Sequence, residues 1–179
     1  MSPDYSGNGV RRTADAGEWT RIAERFATGG GTLSGLWGEP DCVHLAVLDE
    51  TANTITIHTL ACPAGKFPSV ARHHPAAVRL ERTITDLFGL IAEGIPDARP
   101  WLDHGKWGVR HPLASRPSKE HSPRTYSFLP ADGESLHQIP VGPVHAGIIE
   151  PGHFRFTANG ETVVRLEQRL GYVHKGINR

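Results

Sequence analysis

The sequence has only two cysteines, Cys42 and Cys62, and it contains no Cys-x-x-Cys pair. Two single thiols so far apart do not make a zinc or iron–sulfur site without help from histidines, and in a cytosolic chain we expect them to be free and buried. The chain carries 19 basic and 19 acidic side chains and therefore has a formal net charge of zero. This balance gives no support to a nucleic-acid binder, which should carry a basic patch and a high pI.

Long apolar runs are also missing. No stretch approaches the roughly 20 residues that span a bilayer, and the first residues show neither the basic start nor the apolar block of a secretory signal. Gly29-Gly30-Gly31 is not a phosphate loop because no Lys-Ser/Thr follows it. We therefore predict a cytoplasmic protein with no metal site, and nothing recommends a free-standing enzyme that uses its histidines.

The first half of the chain has alternating helical and strand signals. Residues 1–17 are polar and rich in Gly, Asp, Ser and Arg, which is typical of disorder. Helical spacing then predicts a short helix with an apolar side of Trp19, Ile22, Ala23 and Phe26. Two strand-like runs follow, residues 43–48 and 54–60, and the short polar stretch between them predicts a hairpin.

The clearest helix is predicted from about Pro75 to Ala92. Its apolar stripe comprises Val78, Leu80, Ile84, Leu87, Phe88 and Ile91. Pro75 suits the first helical turn, and Gly94 and Pro96 are expected to end the helix. Such a stripe needs a sheet to lie on, so we predict an α+β fold in which a small antiparallel sheet is packed by one or two helices.

The second half reads as a linker followed by a hairpin. Residues 94–136 are dominated by Pro, Gly, Ser, His and charge, and we take 114–136 as the linker. Residues 153–157 and 162–166 alternate on either side of Asn159-Gly160, a type I′ turn signal that predicts a C-terminal β-hairpin. An isolated two-stranded hairpin is marginal in water, so it is expected to pack on something outside the chain.

One block resembles a known family. It comprises Arg72-His73-His74-Pro75, Glu81-Arg82-x-x-x-Asp86-Leu87-Phe88-Gly89, and Gly94-x-Pro96-Asp97-x-Arg99-Pro100-Trp101-Leu102. These residues resemble the C-type subunit of bacterial NADH dehydrogenase, which is a small peripheral-arm component of complex I. Thr83 stands where that family has a second acid, and Ile95 where it has a histidine. Trp101-Leu102-Asp103-His104-Gly105 looks closer to the equivalent domain fused onto group 4 hydrogenase large subunits.

A second block is longer. It runs from Gln138-Ile139-Pro140-Val141-Gly142-Pro143-Val144-His145 through Glu150-Pro151-Gly152-His153-Phe154 to Leu170-Gly171-Tyr172-Val173-His174-Lys175-Gly176-Ile177. It is similar to the start of the large-subunit module of formate hydrogenlyase and related [NiFe]-hydrogenases. The quinone-binding D-type subunit of complex I opens with a related segment. The resemblance implies a complex I C-type domain over residues 18–113 and a truncated start of the large-subunit module over 137–179.

The resemblance also implies site residues. By position, His145 and Glu150 lie where the family places a loop beside the nickel–iron centre or the quinone, so they would relay protons in a complete complex. The alternative is that both are ordinary loop residues. The family holds its metal through two Cys-x-x-Cys pairs that this sequence does not contain. We therefore predict no cofactor in this chain and no hydrogenase activity from it alone.

The remaining predictions concern contacts with partners. Charged residues of the predicted helix and the following loop are expected to form salt bridges that pin the loop over residues 94–102, and two tryptophans are expected to anchor a partner. The predicted interface comprises Glu81, Arg82, Asp86, Asp97, Arg99, Trp101 and Trp107. His73 and His74 are not expected to bind a metal, since adjacent residues seldom point the same way.

Two hypotheses on function follow. The favoured one is a non-catalytic fragment or assembly subunit of a hydrogenase, formate hydrogenlyase or complex I-type oxidoreductase. Its partners would be the hydrogenase small (iron–sulfur) subunit and other complex I-like subunits, through which it would reach the cytoplasmic face of the membrane. The alternative is the N-terminal part of a complete [NiFe]-hydrogenase large subunit, acting in hydrogen/proton interconversion with NADH- or quinone-linked electron transfer and cut short here.

Overall fold

The computed structural model describes residues 9–119, 125–145, 147 and 149–173. Of these, the residues up to Arg99 and those from Val109 to 119 form one compact unit. Pro100–Gly108 and the residues from 125 onward form a second unit. These units divide the chain differently from the predicted boundary at residue 113, because Pro100–Gly108 groups with the C-terminal part of the chain. No helix among the described residues is both long and apolar enough to cross a bilayer.

The first unit is an α+β structure built on a four-stranded sheet. Its strands are β1 (Gly9–Thr13), β2 (Thr32–Glu39), β3 (Cys42–Asp49) and β4 (Thr54–Ala61), in the order β1-β4-β3-β2. Strands β2, β3 and β4 are antiparallel, as predicted, and β1 adds a parallel edge. The predicted hairpin is confirmed, with Asp49 opposite Thr54 in the register.

Residues 9–17 are ordered, which corrects the prediction of a disordered N-terminus to residue 17. Strand β1 pairs with β4 from Gly9 opposite Ile55 to Thr13 opposite Thr59. Every residue of β1 is exposed, so the strand is held by backbone pairing and carries no apolar alternation that a sequence could show. Residues 1–8 lie outside the described part of the chain.

Helix α1 (Ala16–Ala27) confirms the predicted helical spacing. Asp15 caps its first turn by accepting a hydrogen bond from the Glu18 backbone N–H at 2.7 Å. Its buried side comprises Trp19, Ile22, Ala23 and Phe26. The indole N–H of Trp19 donates to the Pro68 carbonyl at 2.9 Å. These side chains join the core on one face of the sheet with Leu36, Val43, Leu45, Leu60 and Phe67.

Helix α2 is shorter than predicted. A 3₁₀ turn (Pro75–Ala77) leads into α2 (Val78–Phe88), and Gly89 ends the helix with a left-handed φ of 75°. Ile91 therefore does not extend the helix. It begins strand β6 (Ile91–Glu93), which pairs in parallel with β5 (Lys66–Pro68). Glycine is the residue that enters the left-handed region without a steric cost, so Gly89 was the available signal for this helix end.

The second unit contains a three-stranded antiparallel sheet. Strands β7 (Leu136–Val144), β8 (Gly152–Asn159) and β9 (Thr162–Arg169) follow in that order. The predicted C-terminal hairpin is confirmed as β8–β9, and β7 extends it. The two turn residues are Gly160 and Glu161, one position later than the predicted Asn159-Gly160. Gly160 alone has a positive φ, 58°, whereas a type I′ turn needs a positive φ at both residues, so the predicted turn type is also wrong.

The predicted linker over residues 114–136 is structured in its described parts. Arg110 and Ser118 exchange backbone hydrogen bonds of 2.8 and 3.1 Å within the first unit. In the second unit, the Leu129 backbone N–H donates to Glu167 at 3.0 Å, and the Arg155 guanidinium lies 4.1 Å from the centre of the Phe128 ring. Residues 125–130 thus pack on the polar face of the three-stranded sheet. Residues 120–124 are outside the described part.

Candidate functional site

Glu81, on α2, fastens the turn that precedes the helix. Its side chain is fully buried; Oε1 accepts from the backbone N–H groups of Val70 (2.5 Å) and Ala71 (3.1 Å), and Oε2 accepts from the Ser69 hydroxyl (2.7 Å). Burial raises the pKa of the Glu81 carboxyl, and the three hydrogen bonds oppose that rise. The prediction that Glu81 contacts a partner is wrong, because none of its side chain reaches the surface.

Asp97 is the point at which two arginines meet. Arg99 binds it through Nε (2.9 Å) and Nη2 (2.8 Å), and Arg82 approaches it through Nη1 at 3.3 Å. Arg82 Nε also donates to the Arg99 carbonyl at 2.5 Å. Burial alone would raise the pKa of Asp97, but the hydrogen bonds from Arg99 and the charges of Arg82 and Arg99 outweigh burial and lower it. Ion pairs therefore pin the loop after β6, as predicted.

The other predicted interface residues lie at different depths. Asp86 on α2 is 7% exposed and Trp101 is 8% exposed, whereas Trp107 is half-buried. Asp86 and Trp101 therefore present little surface to a partner, and their place in the interface stays a prediction. In the second unit, His104 Nε2 lies 2.9 Å from the Leu170 carbonyl oxygen. The Pro100–Gly108 loop is thus fastened to the end of the C-terminal sheet.

His145 and Glu150 lie in the loop between β7 and β8. His145 is exposed, and its Nδ1 accepts a hydrogen bond from the Gly147 backbone N–H at 3.1 Å. Glu150 is half-buried and directly precedes Pro151. The described residues of this loop show no contact between the two predicted relay groups. Ala146 and Ile148 are not among the described residues.

The sheet of the second unit has an apolar face that the described residues leave exposed. The register places Ile139, Phe156 and Leu166 side by side, with Val141 beside Phe154. Exposure reaches 45% for Ile139, 37% for Val141 and 53% for Leu166. We call these five residues the apolar face. Contiguous exposed apolar side chains mark candidate surfaces for contact with another protein, a membrane or a ligand.

A second cluster lies at the end of the β2–β3 hairpin and was not predicted from the sequence. Glu39, Cys42 and His44 each bring one ligand-type atom to a common point, all within 4.8 Å of one another. Burial, followed by the charges of Glu39 and Asp41, raises the pKa of the Cys42 thiol. The available signal was Cys42-x-His44 in a strand, since alternate residues share one face.

The described architecture suits a component of a larger protein assembly. It consists of a small α+β unit with its own core and a second unit whose sheet leaves an apolar face open, an arrangement typical of a component of a larger assembly. Residues 39–121 match the family described as "Respiratory-chain NADH dehydrogenase, 30 Kd subunit". This match confirms that the region is similar to the small peripheral-arm component of complex I.

Similar proteins are components of hydrogenases and of complex I. The chain is 40% identical over 122 residues to hydrogenase-4 component G of Escherichia coli K12, and 36% identical over 123 residues to formate hydrogenlyase subunit 5 of the same strain. Each match covers 64% of this chain and 22% of the relative. The C/D subunit of NADH-quinone oxidoreductase from Bacteroides fragilis is 27% identical over 136 residues, covering 64% of this chain and 26% of the relative.

Proposed function

We propose that the chain is a non-catalytic subunit or assembly module of a hydrogenase, formate hydrogenlyase or complex I-type oxidoreductase, where it docks redox subunits. The observation that carries the proposal is the apolar face, exposed at Ile139, Val141 and Leu166. Burying it against a partner would contribute about 25 cal/mol for each Å² of apolar surface removed from water. Its relatives are named as components or subunits of such complexes.

The partner we propose for the apolar face is the small iron–sulfur subunit of the complex. Arg82, Asp86, Asp97, Arg99, Trp101 and Trp107 stay predicted interface residues, and the peripheral cytoplasmic location stays a prediction. In the assembled complex we propose that Glu150 and His145 relay protons, on the strength of the resemblance. The cysteines do not fit the family's nickel–iron centre, because Cys42 and Cys62 form no Cys-x-x-Cys pair, so we assign no redox step to this chain.

The docking proposal is tested by co-expression with the hydrogenase iron–sulfur subunit of the same organism. Leu166→Lys places a charge in the apolar face and should abolish co-purification, while Thr162→Lys on the same strand, exposed but outside the face, should leave it intact. Circular dichroism of both free variants confirms that each is folded. Equal co-purification of both variants would show that the apolar face does not dock this subunit.

A further inference from the structure

The end of the β2–β3 hairpin brings three different metal-ligand side chains together. Cys42 and His44 lie on the same side of β3, and Glu39 is directly opposite Cys42 across the two-residue turn Pro40-Asp41. His44 Nε2 is 3.5 Å from Cys42 Sγ and 3.2 Å from Glu39 Oε1, and Cys42 Sγ is 3.8 Å from Glu39 Oε2.

These separations are close to those of a tetrahedral ion's ligands. With the usual bond lengths to zinc from sulfur, nitrogen and oxygen, tetrahedral angles place neighbouring donors roughly 3.3–3.6 Å apart. The two distances from His44 Nε2 lie within about 0.1 Å of that range. The distance from Cys42 Sγ runs to the other oxygen of the Glu39 carboxylate, Oε2, and lies about 0.2 Å beyond the range. A rotation of the exposed Glu39 carboxylate would bring one of its oxygens to a common ion with Cys42 Sγ and His44 Nε2, since 59% of that side chain is accessible.

His44 is already oriented for ligation. Its Nδ1 lies 2.9 Å from the Thr59 hydroxyl on β4, which directs Nε2 toward Cys42 and Glu39. A partner on the other ring nitrogen is what orients metal-binding histidines in known sites. The indole of Trp37 stacks on the imidazole, with ring centres 5.1 Å apart, and closes one side of the cluster.

We propose that Glu39, Cys42 and His44 form a binding site for one zinc-type divalent transition metal. A thiolate, an imidazole and a carboxylate suit zinc, whereas magnesium and calcium require oxygen ligands. A water molecule completes the coordination, as it does in zinc sites that have three protein ligands. Binding releases the thiol proton to solvent. The site departs from the expectation of no metal, and it is independent of the docking proposal.

Cobalt(II) is the probe for this site, because its spectrum reports both geometry and a thiolate ligand. The full-length chain, reduced and free of metal, is titrated with cobalt and then with zinc. One equivalent of cobalt should give the intense visible bands of a tetrahedral ion and a thiolate-to-cobalt charge-transfer band. Zinc should then displace the cobalt. A weak octahedral spectrum without charge transfer would overturn the proposal.

Three variants locate the site. Cys42→Ser should remove the charge-transfer band, whereas Cys62→Ser, which changes the other thiol, should retain it. Thr59→Val keeps all three ligands and should weaken zinc binding by about 10–100-fold through the loss of the His44 partner. The circular dichroism spectrum of each variant verifies its fold. Retention of the band in Cys42→Ser, or its loss in folded Cys62→Ser, would place the metal elsewhere and refute the assignment.

Discussion

At the scale of single residues, Glu81 shows how a charged side chain serves as part of a core. Its two oxygens accept three hydrogen bonds from the turn at Ser69–Ala71, so the carboxylate replaces backbone partners that this turn does not provide. A buried donor left without an acceptor costs about 1–3 kcal/mol. The position of α2 on the turn therefore depends on an acceptor at residue 81.

Replacing Glu81 tests this role. Glu81→Ala should lower the free energy of unfolding by roughly 3 kcal/mol or more, since three donors lose their acceptor. Glu81→Gln should cost less, because both backbone N–H groups bond to the same oxygen. The pKa of Glu81 is raised, so wild-type stability should fall as the pH rises through the folded-state value, and Glu81→Gln should lack this dependence. Urea unfolding across pH measures both effects; equal losses in the two variants would contradict the role.

Asp97 has the opposite dependence on pH. Its pKa is lowered from 3.8 by Arg99 and Arg82, so its stabilisation is present above the unfolded-state pKa and is lost as the pH falls through the folded-state value. Asp97→Asn should reduce the free energy of unfolding at neutral pH by about 1–3 kcal/mol. The difference from wild type should shrink in acid. Asp132→Asn, at an exposed position, is the control in the same denaturant titrations; a difference independent of pH would count against the assignment.

At the scale of secondary-structure elements, the approach of α2 to β2 depends on a glycine. A Cβ at Gly38 would lie 2.9 Å from Cδ2 of Phe88 and 3.1 Å from Cγ2 of Ile84. Both contacts are shorter than packed carbon atoms adopt, and both belong to the apolar side of α2. The helix can lie this close to the sheet only because residue 38 has no side chain.

Gly38→Ala should therefore destabilise the first unit by about 1–3 kcal/mol through overpacking. Gly35→Ala on the same strand is the matched control, because its Cβ would make an ordinary contact with Trp37 at 3.6 Å. That variant should be neutral or should stabilise the protein by up to about 1 kcal/mol by restricting the unfolded chain. Thermal unfolding of both variants measures the difference, and similar melting temperatures would disprove the packing argument.

At the scale of the whole molecule, the chain corresponds to a part of longer relatives. The matched regions cover 22% of the two Escherichia coli relatives, and residues 39–121 match the 30 Kd subunit family. Each of the two units carries one of the two proposed binding features. The first holds the zinc-type site, and the second presents the apolar face.

The isolated chain should not catalyse hydrogen oxidation. A nickel–iron centre requires paired thiolates, and the sequence supplies only Cys42 and Cys62. Purified protein should therefore show no hydrogen-dependent reduction of a viologen dye and no stoichiometric nickel with iron on elemental analysis. Zinc alone in that analysis agrees with the proposed Glu39 cluster. Hydrogen uptake together with stoichiometric nickel would refute the non-catalytic assignment.

The amino-acid sequence alone predicts the elements whose signals are local. Trp19, Ile22 and Phe26 repeat at helical spacing, the strands of the β3–β4 and β8–β9 hairpins alternate, and short polar or glycine-containing turns join them. The family blocks over α2 and the following loop also lie in continuous stretches. These features could be predicted because neighbours along the chain define them.

Contacts between distant segments follow only from the folded structure. Strand β1 shows no alternation because backbone pairing with β4 holds it, and Glu81 is in the core because its oxygens match the donors of a turn ten or more residues earlier in the chain. His44 turns toward Glu39 and Cys42 only when Thr59 of β4 holds its other nitrogen. Whether a side chain is buried, and which distant side chains it meets, depends on how the strands and helices pack against one another. Local periodicity along the chain does not contain that information.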